Sequence, residues 1–175
     1  IKTKQKEVKK LASKELTTKP EQSVPTKVET YNDILAKYTQ FSNGVTVNLN
    51  KGNKLICMFS LSCGHCQETY KAIVEMSESG KLPNTLLFLY GTDFELNYFF
   101  NQAGGKHPYI KLDDYNEFKK LLDGHDFPYV LATENGQIKD SWDLEDKEIN
   151  SSIQKYYGIE KTEPKDNGIF GEEEE

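Results

Sequence analysis

The chain has 175 residues, of which 36% are hydrophobic and 29% charged, and its formal net charge is −6. This length suits one domain with additional segments at its ends, and it is sufficient for a hydrophobic core. The charge is uneven, since residues 1–29 carry eight lysines against four glutamates and residues 160–175 carry seven acidic residues against two lysines. No basic patch continues between these ends, which argues against a nucleic-acid partner.

The two ends are interpreted as solvated segments on either side of a domain at residues 30–159. Residues 1–29 are predicted to form a flexible basic linker, and residues 160–175 an acidic disordered tail. No apolar run approaches the roughly 18–20 residues needed to span a bilayer. The chain begins with Ile1 rather than Met, so we expect an upstream membrane segment or lipid anchor, with residues 1–29 as its tether.

The first half of the predicted domain alternates between helix and strand patterns. Apolar residues at helical spacing predict a helix over 31–41, and alternating residues over 45–49 predict a strand. A turn at 50–53 precedes an apolar run at 55–61, which is typical of a buried central strand. A second helix is predicted over 67–79.

The second half continues the alternation and ends in a hairpin and a helix. An Asn-Gly turn at 135–136 marks the hairpin. The patterns predict strands over 86–90, 109–112, 127–131 and 137–142, and helices over 95–103, 113–124 and 145–157. Strands that alternate with helices and then form a hairpin predict an α/β domain with a mixed central sheet flanked by helices.

The motif Cys63-Gly64-His65-Cys66 lies between the central strand and the second helix. A cysteine at a helix N-terminus is stabilised as a thiolate, the nucleophilic form, which makes Cys63 a candidate attacking group. Cys66, three residues on, lies within reach of the mixed disulfide that such an attack creates. His65 is expected to stabilise the thiolate further. Three cysteines cannot form a disulfide scaffold, because at most one pair forms and Cys57 is left over.

Two other interpretations of the motif remain open. It could be a surface C-x-x-C without turnover, or half of a zinc site. Zinc normally takes four ligands. Of the remaining candidates, Cys57 is expected to point into the sheet, and neither His107 nor His125 shows ligand spacing. We therefore expect no metal and no cofactor, and we interpret Cys57 as a small buried hydrophobic residue.

The order strand, C-G-H-C, helix, strand, helix, X-Pro, hairpin, helix resembles the thioredoxin fold over about residues 31–158. The motif is similar to that of protein disulfide isomerases, and Phe127-Pro128 lies where that family has its cis-proline. The resemblance implies a monomeric thiol–disulfide oxidoreductase that acts on protein or peptide thiols and disulfides with a redox partner protein. It also implies that Phe127 and Pro128 dock the substrate backbone.

The sequence departs from this family at two positions. Cys57 stands where the family keeps a buried carboxylate that assists proton transfer from the second cysteine, and Ser62 replaces the aromatic residue that usually precedes the motif. A buried thiol is a poor base at neutral pH. A redox-inactive binding module with the same fold is therefore the alternative hypothesis.

Residues 59–68 are also similar to the thioredoxin-like domain of some bacterial DoxX-type membrane proteins. This similarity and the C-G-H-C motif favour the cell envelope, membrane-anchored or periplasmic, over the cytoplasm. The lysines near the start of the chain suit anionic lipid headgroups, although a basic segment beside a membrane span is also typical of a cytoplasmic side.

Overall fold

The computed structural model describes residues 27–161, so most of the predicted basic linker and of the predicted acidic tail lies outside the described residues. A five-stranded sheet forms the centre of the described part. Its strands are β1 (Asn53–Ser60), β2 (Asn84–Tyr90), β3 (Tyr109–Leu112), β4 (Tyr129–Glu134) and β5 (Gln137–Trp142). Their order in the sheet is β3-β2-β1-β4-β5. The central strand β1 is parallel to β2 and antiparallel to β4, so the sheet is mixed, as predicted.

Helices cover both faces of this sheet. They are α1 (Tyr31–Ala36), α2 (Gly64–Ser77), α3 (Asp93–Ala103), α4 (Tyr115–Leu122) and α5 (Ile149–Tyr156). Alternate residues of β1 point to opposite faces, so Cys57 and Phe59 pack into one core with α2, α3 and α5, and Ile56 and Met58 pack into the other with α1 and α4. None of the helices within residues 27–161 combines the length and the apolar character that crossing a bilayer requires.

Local sequence signals fix several element ends. Thr92 and Glu95 form a capping box at the start of α3, and Gly104 ends that helix with a left-handed φ of 71°, a conformation that glycine adopts without steric cost. In the β4–β5 hairpin, Asn135 and Gly136 both have positive φ, 49° and 79°. Such a pair matches the right-handed twist of the two strands.

The prediction of a strand over residues 45–49 is wrong. The chain forms a short 3₁₀ turn at Ser42–Gly44, and an isolated bridge between Gln40 and Thr46 is the pairing that the structure gives this segment. The alternating pattern has a different cause, because the loop itself lies against the domain. Val47 is buried in the core beside α1 and α4, and its N–H donates to Thr39 O at 2.8 Å.

Three predicted helices are shorter in the structure. The first ends at Ala36 rather than at residue 41, and the last begins at Ile149 rather than at residue 145. The helix predicted over 113–124 covers Tyr115–Leu122. Before the last helix, the Asp143 and Asp146 carboxylates accept backbone N–H groups two residues ahead, at 2.9 Å each. Such aspartate turns compete with helix formation.

The sheet topology brings the motif and Pro128 to the same end of the sheet. The chain leaves β1 at Ser60 and continues into Cys63, and Leu61 N–H donates to Tyr90 O at the end of β2. Because β4 is antiparallel to β1, its first residue Tyr129 pairs with Met58 near the carboxyl end of β1. Pro128, which precedes β4, therefore lies at the same end of the sheet as Cys63.

Candidate active site

Cys63 and Cys66 lie at the start of α2 at different depths. Cys63 is the N-cap residue of this helix, and its sulfur accepts the Cys66 backbone N–H at 3.4 Å. Cys63 is partly exposed, whereas Cys66 is completely buried, and both are free thiols. One sulfur can therefore meet a partner molecule, and the second is held one helical turn behind it.

The surroundings of Cys63 favour its thiolate. A hydrogen bond donated by the Cys66 thiol is the largest of the contributions that lower the pKa of Cys63 to about 6. Partial burial opposes this shift, and the backbone N–H groups of Cys66 and His65 and the charge of His65 add to it. Burial, followed by the bond to Cys63, raises the pKa of Cys66 far above its ordinary value. Near neutral pH, Cys63 is thus the anionic member of the pair.

His65 occupies the exposed side of the first turn of α2. Its side chain is 72% exposed, and Nδ1 lies 4.0 Å from Oε2 of Glu68. Its backbone N–H and its charge are the smallest of the contributions that lower the pKa of Cys63. His65 therefore supports the thiolate less than Cys66 does.

The Phe127–Pro128 peptide bond is cis, the geometry that the resemblance predicted. The Phe127 side chain packs against both cores, and its ring lies 6.0 Å from that of Phe118. Pro128 and His65 line one groove of about 470 Å³, which continues along α2 to the loop before α5. The predicted site residues Cys63, His65, Cys66 and Pro128 thus share one end of the sheet.

Cys57 lies in the centre of β1 with no solvent exposure. Burial raises the pKa of its thiol well above the ordinary value. Within residues 27–161, none of the buried side chains is an aspartate or a glutamate. The departure from the thioredoxin pattern therefore extends to the structure, because a protonated thiol occupies the position of the carboxylate.

Two histidines have partners that the sequence did not reveal. His107 and the buried Tyr70 form two hydrogen bonds, one from the His107 backbone N–H to the Tyr70 hydroxyl and one between that hydroxyl and Nδ1, both 3.0 Å. His125 Nδ1 lies 2.7 Å from Oδ2 of Asp143, and its ring stacks on Tyr129. In the described part of the chain, no three His, Cys, Asp or Glu side chains are grouped so that they could hold a metal ion.

The mixed sheet, the two helical layers and the motif at the carboxyl end of β1 define a thioredoxin-like fold, and the solved structures agree. A secreted Mycobacterium tuberculosis disulfide oxidoreductase homologous to E. coli DsbE superposes with a TM-score of 0.59 at 7% identity, covering 72% of this chain and 97% of its own. For DsbF of the same organism the TM-score is 0.56 at 10% identity, covering 71% and 96%. The thioredoxin domain of a Bacteroides vulgatus thiol-disulfide oxidoreductase gives 0.52 at 12% identity, covering 68% and 91%.

Comparison at the sequence level finds a relative of low identity. No protein-family model matches the chain. Protein TlpB of Flavobacterium psychrophilum is 25% identical over 121 residues, which cover 65% of this chain and 32% of TlpB. The chain thus spans about a third of the length of this relative. The similarity to DoxX-type membrane proteins stays a prediction.

Proposed function

We propose that this protein is a thiol–disulfide oxidoreductase that uses the Cys63–Cys66 pair. The observation that carries the proposal is the geometry of the pair, in which the partly exposed Cys63 caps the N-terminus of α2 and the buried thiol of Cys66 lies one turn behind it. These surroundings lower the pKa of Cys63 to about 6. Such a pair has one accessible thiolate and one protonated thiol in reserve, which is the arrangement that two-step exchange requires. The names of the structural neighbours, which are disulfide oxidoreductases, support the same activity.

In the first step, the Cys63 thiolate attacks one sulfur of a substrate disulfide. The substrate S–S bond breaks, a mixed disulfide with Cys63 forms, and the other substrate sulfur leaves as a thiolate. In the second step, Cys66 loses its proton to solvent and its thiolate attacks the Cys63 sulfur. The mixed disulfide breaks, the Cys63–Cys66 disulfide forms, and the second substrate sulfur leaves, so that two electrons have passed to the substrate.

The reverse sequence oxidises a substrate dithiol, and the direction depends on the redox partner. A lowered thiol pKa stabilises the reduced pair and makes the disulfide more oxidising. In both directions we assign Phe127 and Pro128 to docking the substrate backbone beside Cys63, and His65 to supporting the thiolate. We propose protein or peptide thiols and disulfides as substrates, a second redox protein as partner, and the cell envelope as location, since one structural neighbour is a secreted protein.

The test is equilibration of the full chain with glutathione buffers of graded composition. We expect a reversible Cys63–Cys66 disulfide, detected by mass spectrometry after rapid alkylation, and accelerated reduction of insulin by dithiothreitol. Cys63→Ser should abolish both readouts, while the matched control Cys57→Ala should retain both, because Cys57 lies in the core. A wild-type chain that forms no reversible disulfide in any buffer would refute the proposal.

A redox-inactive binding module is the second candidate, and the buried thiol at Cys57 is the observation that favours it. Without a carboxylate at that depth, the departure of the Cys66 proton has no nearby acceptor among the buried side chains. The insulin assay separates the two functions. Equal reduction rates for the wild type and for Cys63→Ser would favour the module.

A further inference from the structure

The groove beside Cys63 has two walls from distant parts of the chain. Its volume is about 470 Å³, and it is lined by His65, Thr69 and Pro128 on one side and by residues 144 and 146–151 on the other. The pair His125–Asp143, at 2.7 Å, joins the segment before Pro128 to the segment that leads into the second wall. The two walls of the groove are therefore linked to each other, and His65, which lines the groove, lies two residues from Cys63.

The charge of this groove is negative. Glu68, Asp146 and Glu148 line it, and Lys147 is the lysine among its lining residues. Within residues 27–161, neither Asp146 nor Glu148 forms an ion pair. Asp146 Oδ1 accepts the Glu148 backbone N–H, which fixes the loop, and the three carboxylates outnumber the one lysine of the groove.

A second cavity, on the opposite side of the motif, is also negatively charged. It has a volume of about 530 Å³, and it is lined by Ser60 and Ser62, by the carboxylates of residues 93, 95 and 113, and by Lys111. The Lys111 ammonium is already engaged by two of those carboxylates, lying 3.3 Å from Asp93 and also contacting Asp113. Carboxylates thus outnumber the lysine on this side as well.

From the excess of carboxylates in these two cavities we infer that the preferred partner of Cys63 carries lysine or arginine next to its reactive cysteine. This inference rests on the proposed thiol–disulfide exchange and names the substrate class for it. An extended peptide whose sulfur contacts Cys63 must place its neighbouring side chains along one or both cavities. Exposed charge pairs contribute roughly 0.2–1 kcal/mol each, which corresponds to a rate change of about 1.4-fold to fivefold per pair, and complementary charge also speeds the encounter.

The experiment uses the reduced full chain and three peptides with one cysteine in a mixed disulfide with a small neutral thiol. The cysteine is flanked on both sides by lysine, by glutamate or by serine, and the reaction is followed by acid quench and mass spectrometry. At low ionic strength we expect the lysine peptide to react about tenfold faster than the glutamate peptide, with the serine peptide between them. At about 1 M salt, where the Debye length is roughly 3 Å, the rates should converge.

A pair of charge-matched variants locates the effect. The double variant Asp146→Asn, Glu148→Gln should lower the preference for lysine over glutamate by about twofold to fivefold. The double variant Glu75→Gln, Glu78→Gln removes the same charge near the far end of α2, where both residues line another cavity, and should retain the preference. Glu68 is left unchanged because of its proximity to His65.

Failure of the inference and failure of the proposed function give different results. Equal rates for the lysine and glutamate peptides, or an equal loss of preference in both double variants, would overturn the inference while the serine peptide still reports exchange at Cys63. A wild-type chain that reacts with none of the three peptides would refute the proposed function and the inference together.

Discussion

The hydrogen bond from the Cys66 thiol to the Cys63 sulfur can be tested by removing its donor. Cys66→Ala deletes the largest of the contributions that hold the pKa of Cys63 at about 6. A hydrogen bond to a charged group contributes roughly 1.5–3 kcal/mol, and one pKa unit corresponds to about 1.4 kcal/mol. Because solvent screens the partly exposed sulfur, we take the lower end of this range and expect the pKa of Cys63 in this variant to be about 7.

This change predicts a crossing of the two pH–rate profiles. At pH 5 a thiol with a pKa of about 6 is roughly one-tenth thiolate, and one with a pKa of about 7 is roughly one-hundredth thiolate. The more basic thiolate is intrinsically about threefold more nucleophilic. The alanine variant should therefore react about threefold more slowly than the native pair near pH 5 and about threefold faster near pH 9, where both are ionised.

The matched control is Cys66→Ser, which keeps a hydroxyl donor in place of the thiol. Neither variant can form the Cys63–Cys66 disulfide, so a single exchange at Cys63 is measured with 4,4′-dithiodipyridine across the pH range. We expect the serine variant to titrate close to the native pH and the alanine variant above it. Coincident midpoints for the two variants would refute the hydrogen bond as the cause and would leave the N-terminus of α2 as the explanation.

Three other substitutions test the surroundings of the site. Cys57→Asp should accelerate release of substrate from the mixed disulfide by at least about tenfold, since a carboxylate accepts protons better than a buried thiol; single-turnover kinetics with unchanged release would contradict this. Tyr70→Phe should lower the free energy of unfolding by about 1–3 kcal/mol, because the partly buried hydrogen-bonding groups of His107 lose the hydroxyl of the buried Tyr70 as their partner; equal urea midpoints for the two chains would count against it. Gly91→Ala should cost about 2 kcal/mol or more, since its φ is 151° and an added Cβ would lie 2.8 Å from that of Leu61; an unchanged thermal midpoint would be the contrary result.

The elements that the sequence predicted well carry their own local signals. The apolar run that became β2 and the Asn135-Gly136 turn depend on neighbouring residues, and so does the stop of α3 at Gly104. The alternation of apolar and polar residues over 45–49 led to a wrong strand prediction, because a loop that lies on a core can show the same period as a strand. Burial alone therefore does not establish strand pairing.

The candidate site divides in the same way between local and long-range information. The position of Cys63 at a helix N-terminus follows from the motif and the strand before it, and so was accessible from the sequence. The groove was not, because Glu68 and Asp146 become neighbours only when the β5–α5 connection returns to α2. The partners of His107 and His125 likewise depend on tertiary packing that spacing does not encode.

The difference in burial between the two motif sulfurs also bears on how the site reacts with peroxide. Solvent-accessible thiolates are the first to become sulfenic acids, and a sulfenic acid condenses with a nearby thiol. Cys63 is partly exposed, while Cys66 has no exposure and its thiol donates to the Cys63 sulfur. We therefore expect a sulfenic acid at Cys63 to condense with the Cys66 thiol, with loss of water, into an intramolecular disulfide that thiols reverse, before the irreversible sulfinic and sulfonic acids form.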